Sequence, residues 1–154
     1  MNAKIEVKEI PTLQFTGITH YGIKGIETVF QRLIHLGQSK GVFKNPETKV
    51  ARIFHDSFKV TTEDKVRMTV CLLTPEIFPK EGAIHSTNIK KNKCIVGRFK
   101  IMPTEFEKAW SGLFIWMTKN GFVTAEENPF EIYHNDFRSN PPKKLIVDLH
   151  IPIQ

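Results

Sequence analysis

Cysteine is scarce in this chain, with two residues in 154, and neither Cys71 nor Cys94 has a neighbour at metal-ligand spacing. Both sit in apolar stretches, so reduced, buried thiols are expected rather than a disulfide framework or a zinc module. Long hydrophobic runs are missing as well. Nothing approaches the roughly 18 apolar residues that a membrane span needs, and Met1-Asn2-Ala3-Lys4 leads into no signal-peptide core. A cytoplasmic location with no membrane partner is the expectation. The signatures of nucleotide, metal and hydrolase chemistry are lacking too: no Walker loop, GxSxG elbow, HExxH or CxxC occurs, and Gly17, Gly22 and Gly25 do not have dinucleotide-binding spacing. Motifs therefore assign no cofactor, no metal and no catalytic residue, and His55-Asp56 is too small a fragment of a dyad to assign one.

Acidic residues are in the minority. Lys and Arg exceed Asp and Glu by 22 − 16 = 6, which invites a nucleic-acid reading. The charges are scattered, however. The densest run, Lys90, Lys91 and Lys93 followed by Arg98 and Lys100, has no interleaved aromatics on which bases stack. A solvated face is expected there, with no direct DNA binding.

What is present is an ordinary globular composition, 40% hydrophobic and 25% charged, in a chain long enough for one cored domain over residues 1–154. Within it a motif occurs twice. Arg52-Ile53-Phe54-His55-Asp56-Ser57-Phe58 and Glu131-Ile132-Tyr133-His134-Asn135-Asp136-Phe137 share three of seven residues, with two conservative differences. Val66, Met68, Val70 and Leu72 match Leu145, Val147, Leu149 and Ile151 at the same offset. Backwards, with one residue of slippage, Gly17 matches Gly97, Leu33 matches Leu113 and Gly41 matches Gly121. One unit used twice is implied, in halves of about 1–79 and 80–154, and two halves about a pseudo-twofold axis would leave a cleft between them.

The periodicity predicts strands near 4–10 and 13–19 and a helix over about 25–39, opened by Gly22 and Gly25, with Gly37 and Gly41 marking a frayed end. Ile26, Val29, Phe30, Leu33 and Leu36 lie on its inner side. Strands follow at about 50–57 and 65–74, then a linker at 80–92 with a short strand at 84–88. The second half repeats the order with a strand near 93–101 and a helix after Pro103, where Thr104 and Glu107 have capping-box spacing. Phe106, Ala109, Trp110, Leu113 and Met117 form its inner stripe, and strands at 130–136 and 144–151 close the chain. The fold class expected is α+β: a duplicated strand–helix–strand–strand unit, an antiparallel sheet and two helices.

The sharpest break between the copies is Arg52 against Glu131. Alternation on a strand puts Phe130, Ile132 and His134 on one side and Glu131, Tyr133 and Asn135 on the other. A carboxylate and a phenol on one face suit a cation, since the anion supplies charge and the ring a π-face worth roughly 0.5–2 kcal/mol. Phe30, Phe106, Trp110 and Phe54 would supply further walls. The competing reading is structural: helix aromatics at this spacing are core, and an internal ion pair with Arg52 would satisfy the same carboxylate.

The closing segment, Asn128-Pro129-Phe130-Glu131-Ile132-Tyr133-His134-Asn135-Asp136-Phe137-Arg138, then Pro141-Pro142 and Ile146-Val147-Asp148-Leu149-His150-Ile151-Pro152-Ile153, resembles the GyrI-like family. That family includes the effector-binding domains attached to AraC/XylS-type and MerR-type transcription regulators. Phe106-Glu107-Lys108-Ala109-Trp110, Trp116-Met117, Asn120-Gly121 and Gly97 fit the same pattern, over essentially the whole chain. The resemblance implies a duplicated strand–helix–strand–strand fold and a central glutamate, here Glu131 with Tyr133 beside it, that holds hydrophobic cations. The aromatic walls differ between members, so Phe30, Phe54, Phe106 and Trp110 rest on spacing alone. Some members look like hydrolases of strained cyclopropane-containing compounds, and others inhibit DNA gyrase. Regulators of these types carry a helix-turn-helix region ahead of the domain, whereas here the domain begins within a few residues of Met1. The resemblance is thus to a sensor without its DNA reader, with a separate DNA-binding regulator or gyrase as the protein partner implied. The expected function is binding of lipophilic, aromatic cationic small molecules for drug or effector sensing or sequestration. A hydrolase using Glu131 as base with Tyr133 as its acid, and an inhibitor acting on gyrase or another protein, are the alternatives.

Overall fold

The computed structural model describes residues 3–57, 60–135 and 144–154. Phe58 of the first motif copy, and Asp136, Phe137, Arg138 and the joint at 139–142 of the second, lie outside the described residues. The class is α+β, as expected. Among the described residues the chain runs β1 (Ala3–Ile10), β2 (Leu13–Tyr21), α1 (Ile26–Lys40), β3 (Lys49–Phe54), β4 (Arg67–Leu73), β5 (Ile84–Ile89), β6 (Asn92–Ile101), α2 (Phe106–Lys119), β7 (Phe130–Tyr133) and β8 (Leu145–Pro152). No described helix is long and apolar enough to cross a membrane.

The chain packs as two compact units. One, Pro11–Lys91, orders its strands β3-β4-β2-β5; the other joins β1 to the chain from Asn92 onward and orders them β7-β8-β6-β1. Every pairing within them is antiparallel. Both units therefore place the strands of a copy as middle, last, first and then an arm. The arms are exchanged: β1 pairs with β6 of the second copy, Ile5 opposite Gly97, while β5 pairs with β2 of the first, Ile84 opposite Ile18. Both residues of that pair differ by the same step of 79 (84 − 5 and 97 − 18).

The same step relates Thr19 opposite Thr69 to Arg98 opposite Asp148, and Arg52 opposite Val70 to Glu131 opposite Leu149. The strands thus carry no slippage, and the one-residue slip is confined to the helices, where the fully buried Leu33 and Leu113 match at 80. This corrects the pairing of Gly17 with Gly97. On a strand a one-residue slip changes the face, so Gly97 stands where Ile18 does, and Gly17 where Val96 does. The two glycines relieve different crowding. A Cβ on Gly97 would fall 2.7 Å from the Phe99 ring and 2.9 Å from Leu113 of α2, whereas on Gly17 it would fall 2.8 Å from both Thr69 Cγ2 and the Val70 carbonyl.

The helix ends follow from local chemistry. α1 starts from Gly25 (φ 82°) and stops at Gly41 (φ 72°), whose N–H reaches the Gln38 and Gly37 carbonyls. Glycine takes this left-handed conformation without a Cβ clash. Gly37 belongs to the helix body rather than to a frayed end: its missing side chain admits Phe43 at 2.7 Å and Leu72 at 3.0 Å from a Cβ position. Before α2, a tight turn at Pro103–Glu105 moves the cap from the expected Thr104 and Glu107. Instead the Glu105 carboxyl accepts the Met102 backbone N–H at 2.8 Å. α1 buries Ile26, Phe30, Leu33 and Gly37, and α2 buries Ala109, Trp110, Leu113 and Met117. Full burial of one such leucine contributes about 1.5–3 kcal/mol.

Candidate functional site

Glu131 is fully buried, at 0% exposure. Its backbone faces Leu149, and Leu149 faces Gly97, the residue whose missing Cβ makes room for Leu113. Glu131 and Tyr133 therefore point from the sheet toward α2. There the Trp110 indole Nε1–H donates to Glu131 Oε2 at 2.8 Å, and the Tyr133 hydroxyl donates to Oε1 at 2.6 Å. A buried carboxyl needs such donors, because removal from water without hydrogen bonds is costly. Phe106 meets Tyr133 edge-on with ring centres 6.5 Å apart, and Phe114 lies 6.0 Å from Trp110. Four of the six residues named from the sequence, Glu131, Tyr133, Trp110 and Phe106, thus form one cluster, with an acidic centre and rings around it. Phe114, half-buried one turn beyond Trp110, was not named; its i, i+4 spacing from Trp110 was the available signal.

Phe30 and Phe54 belong to the Pro11–Lys91 unit. Both are buried, and the Arg52 guanidinium carbon lies 4.9 Å from the Phe54 ring centre. Arg52 and Phe54 occupy the positions of Glu131 and Tyr133 in the first copy.

The repeated histidines end their strands. His55 N–H donates to the Arg67 carbonyl, and Asp56 Oδ2 accepts the Arg67 N–H at 2.7 Å. In the second copy His134 N–H donates to the Ile146 carbonyl, and Asn135 Oδ1 accepts the Ile146 N–H, again at 2.7 Å. The side chain replaces the next ladder carbonyl, and β7 stops at Tyr133, short of the expected 136.

Beyond the backbone the two histidines diverge. His55 Nε2 lies 2.7 Å from the Thr69 hydroxyl, itself 2.9 Å from that of Thr19. His134 Nε2 lies 2.8 Å from Asp148 Oδ2, and Arg98 donates to both Asp148 oxygens at 2.8 and 2.9 Å. Burial alone would raise the Asp148 carboxyl, but His134 and Arg98 outweigh it and hold the group well below the usual carboxylate range. His55 is lowered by burial and then by Arg67. His150, stacked on Phe130 with ring centres 4.2 Å apart, is lowered by burial to about 4. From the sequence Arg98 was only part of a basic run. Its partner was legible only through register, which brings Asp148 opposite it.

Among the described residues, no group of three or more His, Cys, Asp and Glu is placed to hold a metal ion. Cys71 and Cys94 are buried and unbonded to each other; burial raises both thiols, Cys94 to about 12.

Solved structures share this fold. The C-terminal domain of EcmrR is 17% identical, with a TM-score of 0.78, over 100% of this chain and 99% of that one. In the EcmrR–DNA complex the chain spans 57% of the regulator's length. SAV2435 bound to tetraphenylphosphonium matches at 12% identity and a TM-score of 0.67, over 98% of this chain and 94% of that one. A hydrolase encoded by lin2189 from Listeria innocua matches at 14% identity and a TM-score of 0.73, over 98% and 92%. At these identities the likeness is one of fold. None of the functionally curated proteins matches the chain. The sequence pattern of one family runs over residues 3–154, and the chain belongs to it: the GyrI-like small molecule binding domains.

Proposed function

We propose that the protein binds hydrophobic, aromatic cations, with Glu131 supplying the negative charge and Trp110, Tyr133 and Phe106 the ring surfaces. The observation that carries this reading is the fully buried Glu131 carboxyl held by two aromatic donors, the Trp110 N–H and the Tyr133 O–H. These two donors orient the carboxyl within the ring cluster. Out of bulk water a cation at that carboxyl is attracted far more strongly than at a solvated one, and flat rings favour a cation with apolar substituents. Tetraphenylphosphonium, present in the SAV2435 structure, is a cation of that class. The net charge of +6 opposes capture at long range, so the attraction is local and survives salt.

Titration calorimetry with tetraphenylphosphonium and with a rhodamine dye tests this. Glu131→Gln keeps the size and loses the charge, and is expected to weaken binding about tenfold or more. Tyr133→Phe is expected to weaken it less. Equal affinity of wild type and Glu131→Gln overturns the role of the carboxyl.

A second reading rests on the 2.6 Å contact from the Tyr133 hydroxyl to Glu131. That contact also supplies an acid–base pair for hydrolysis, and a hydrolase from Listeria innocua shares the fold. Turnover of an electrophilic substrate, lost in Glu131→Gln, would favour it over stoichiometric binding.

A further inference from the structure

The outward face of α2 differs from that of α1. On α1 it reads Glu27, Gln31, His35 and Ser39, all exposed and polar. Eighty residues on, α2 presents Glu107, Ser111, Ile115 and Lys119, also all exposed. Ile115 is 55% exposed. Beside Ser111, Gly112 stands in mid-helix, where glycine weakens a helix relative to alanine, and a Cβ built there meets nothing within 4 Å. Gly37 inside α1 is needed for close packing; nothing in the described chain asks for Gly112. The close approach of another backbone would.

We propose that this stripe is a docking seam for a second copy of the chain, with α2 packed antiparallel on α2 about a twofold axis. The stripe complements itself, as an isologous interface must. Antiparallel pairing sets Glu107 against Lys119 of the second copy, and Lys119 against Glu107. Ile115 falls against Ser111 and Gly112 of the second copy, where the absent side chain leaves room for it. Lys108 then faces Thr118 and meets no like charge. Glu107 and Lys119 also suit the dipole of their own helix; the exposed isoleucine and the uncrowded glycine do not follow from that. The apolar surface continues past the helix into the stacked Trp116 and Phe122 and the exposed Val123. α1 cannot pair this way, having Ser39, His35 and Arg32 at the equivalent places. One helix face is small for a specific interface, so the dimer forms at high concentration and weakens with salt. The inference is independent of the ligand reading.

Sedimentation equilibrium of the full chain from micromolar to millimolar concentration tests it. A concentration-dependent dimer is expected. Ile115→Lys should weaken it about tenfold or more, as loss of a central apolar anchor does. Glu107→Lys and Lys119→Glu should each weaken it, and the double variant should restore it. Gly112→Ala should raise the melting temperature of the dilute protein while weakening the dimer. A monomer at every concentration overturns the proposal. So does a dimer unmoved by Ile115→Lys, or a double variant no better than the single ones. Should Ile115→Lys fail to fold, the charge-swap series decides alone.

Discussion

In the first copy the helix-facing strand positions hold Arg52 and Phe54, with the guanidinium carbon 4.9 Å from the ring centre. In the second the same positions hold Glu131 and Tyr133, with the phenol donating to the carboxyl at 2.6 Å. The helix position above them is Phe30 in one copy and Trp110 in the other, and only the indole has an N–H to give. On the opposite face, Thr19, Thr69 and His55 become Arg98, Asp148 and His134. The backbone arrangement, the registers and the strand-ending Asp56 and Asn135 are kept. What the duplication teaches is that fold and chemistry sit at separable positions: apolar and turn residues hold the scaffold, and a few register positions carry the differences.

Breaking the shared scaffold should give the largest effect. Leu33→Ala and Leu113→Ala each remove a fully buried side chain and should cost about 2–5 kcal/mol in urea unfolding. Equivalent costs would show two equally packed cores; a far smaller cost in one would show that the copies share topology but not packing.

The opposite face sharpens the contrast through acid stability. Asp148 is held below its ordinary range, so its contribution is present above that range and is lost as pH falls through it. His150 protonates at about 4 when folded against 6.5 ordinarily. The unfolded chain therefore binds the proton first, and stability drops as pH falls from 6.5 toward 4. The first copy has Thr69 and Cys71 at these places. A variant carrying those residues, Asp148→Thr with His150→Cys, should lose about 1–3 kcal/mol at neutral pH, since Asp148 is a paired, largely buried acid with Arg98 half exposed. It should also show a flatter melting temperature across the acid range. An unchanged acid profile would show that other carboxyls govern it.

The smallest effect is expected from making the second site more like the first. Trp110→Phe supplies the residue of Phe30 and removes one donor to Glu131, which should cost about 1–2 kcal/mol of stability in thermal or urea unfolding. No loss would mean that the carboxyl does not depend on the indole.

Much of this was legible along the chain. Glu131 and Tyr133 share a face because strand side chains alternate, and Phe106 and Trp110 share one because helical residues four apart are neighbours. Glycine–helix packing was misread, since one residue of slippage looks harmless in a string but turns a strand position over. The Arg98–Asp148–His134 group was invisible, because its members lie 36 and 14 residues apart and meet only through strand pairing. The capping acid fell on Glu105 because the tight turn after Met102 rotates the reach of the side chains.

Sequence alone determined the α+β class, the twofold repeat, the two amphipathic helices and the place of the acidic residue. All of these depend on local periodicity and on like residues recurring at a constant interval. Tertiary structure decided which arm pairs with which copy, that Glu131 is buried, and that Trp110 and Tyr133 donate to it. Burial and hydrogen-bond partners are set by segments distant along the chain, and no periodicity within one segment records what will be packed against it.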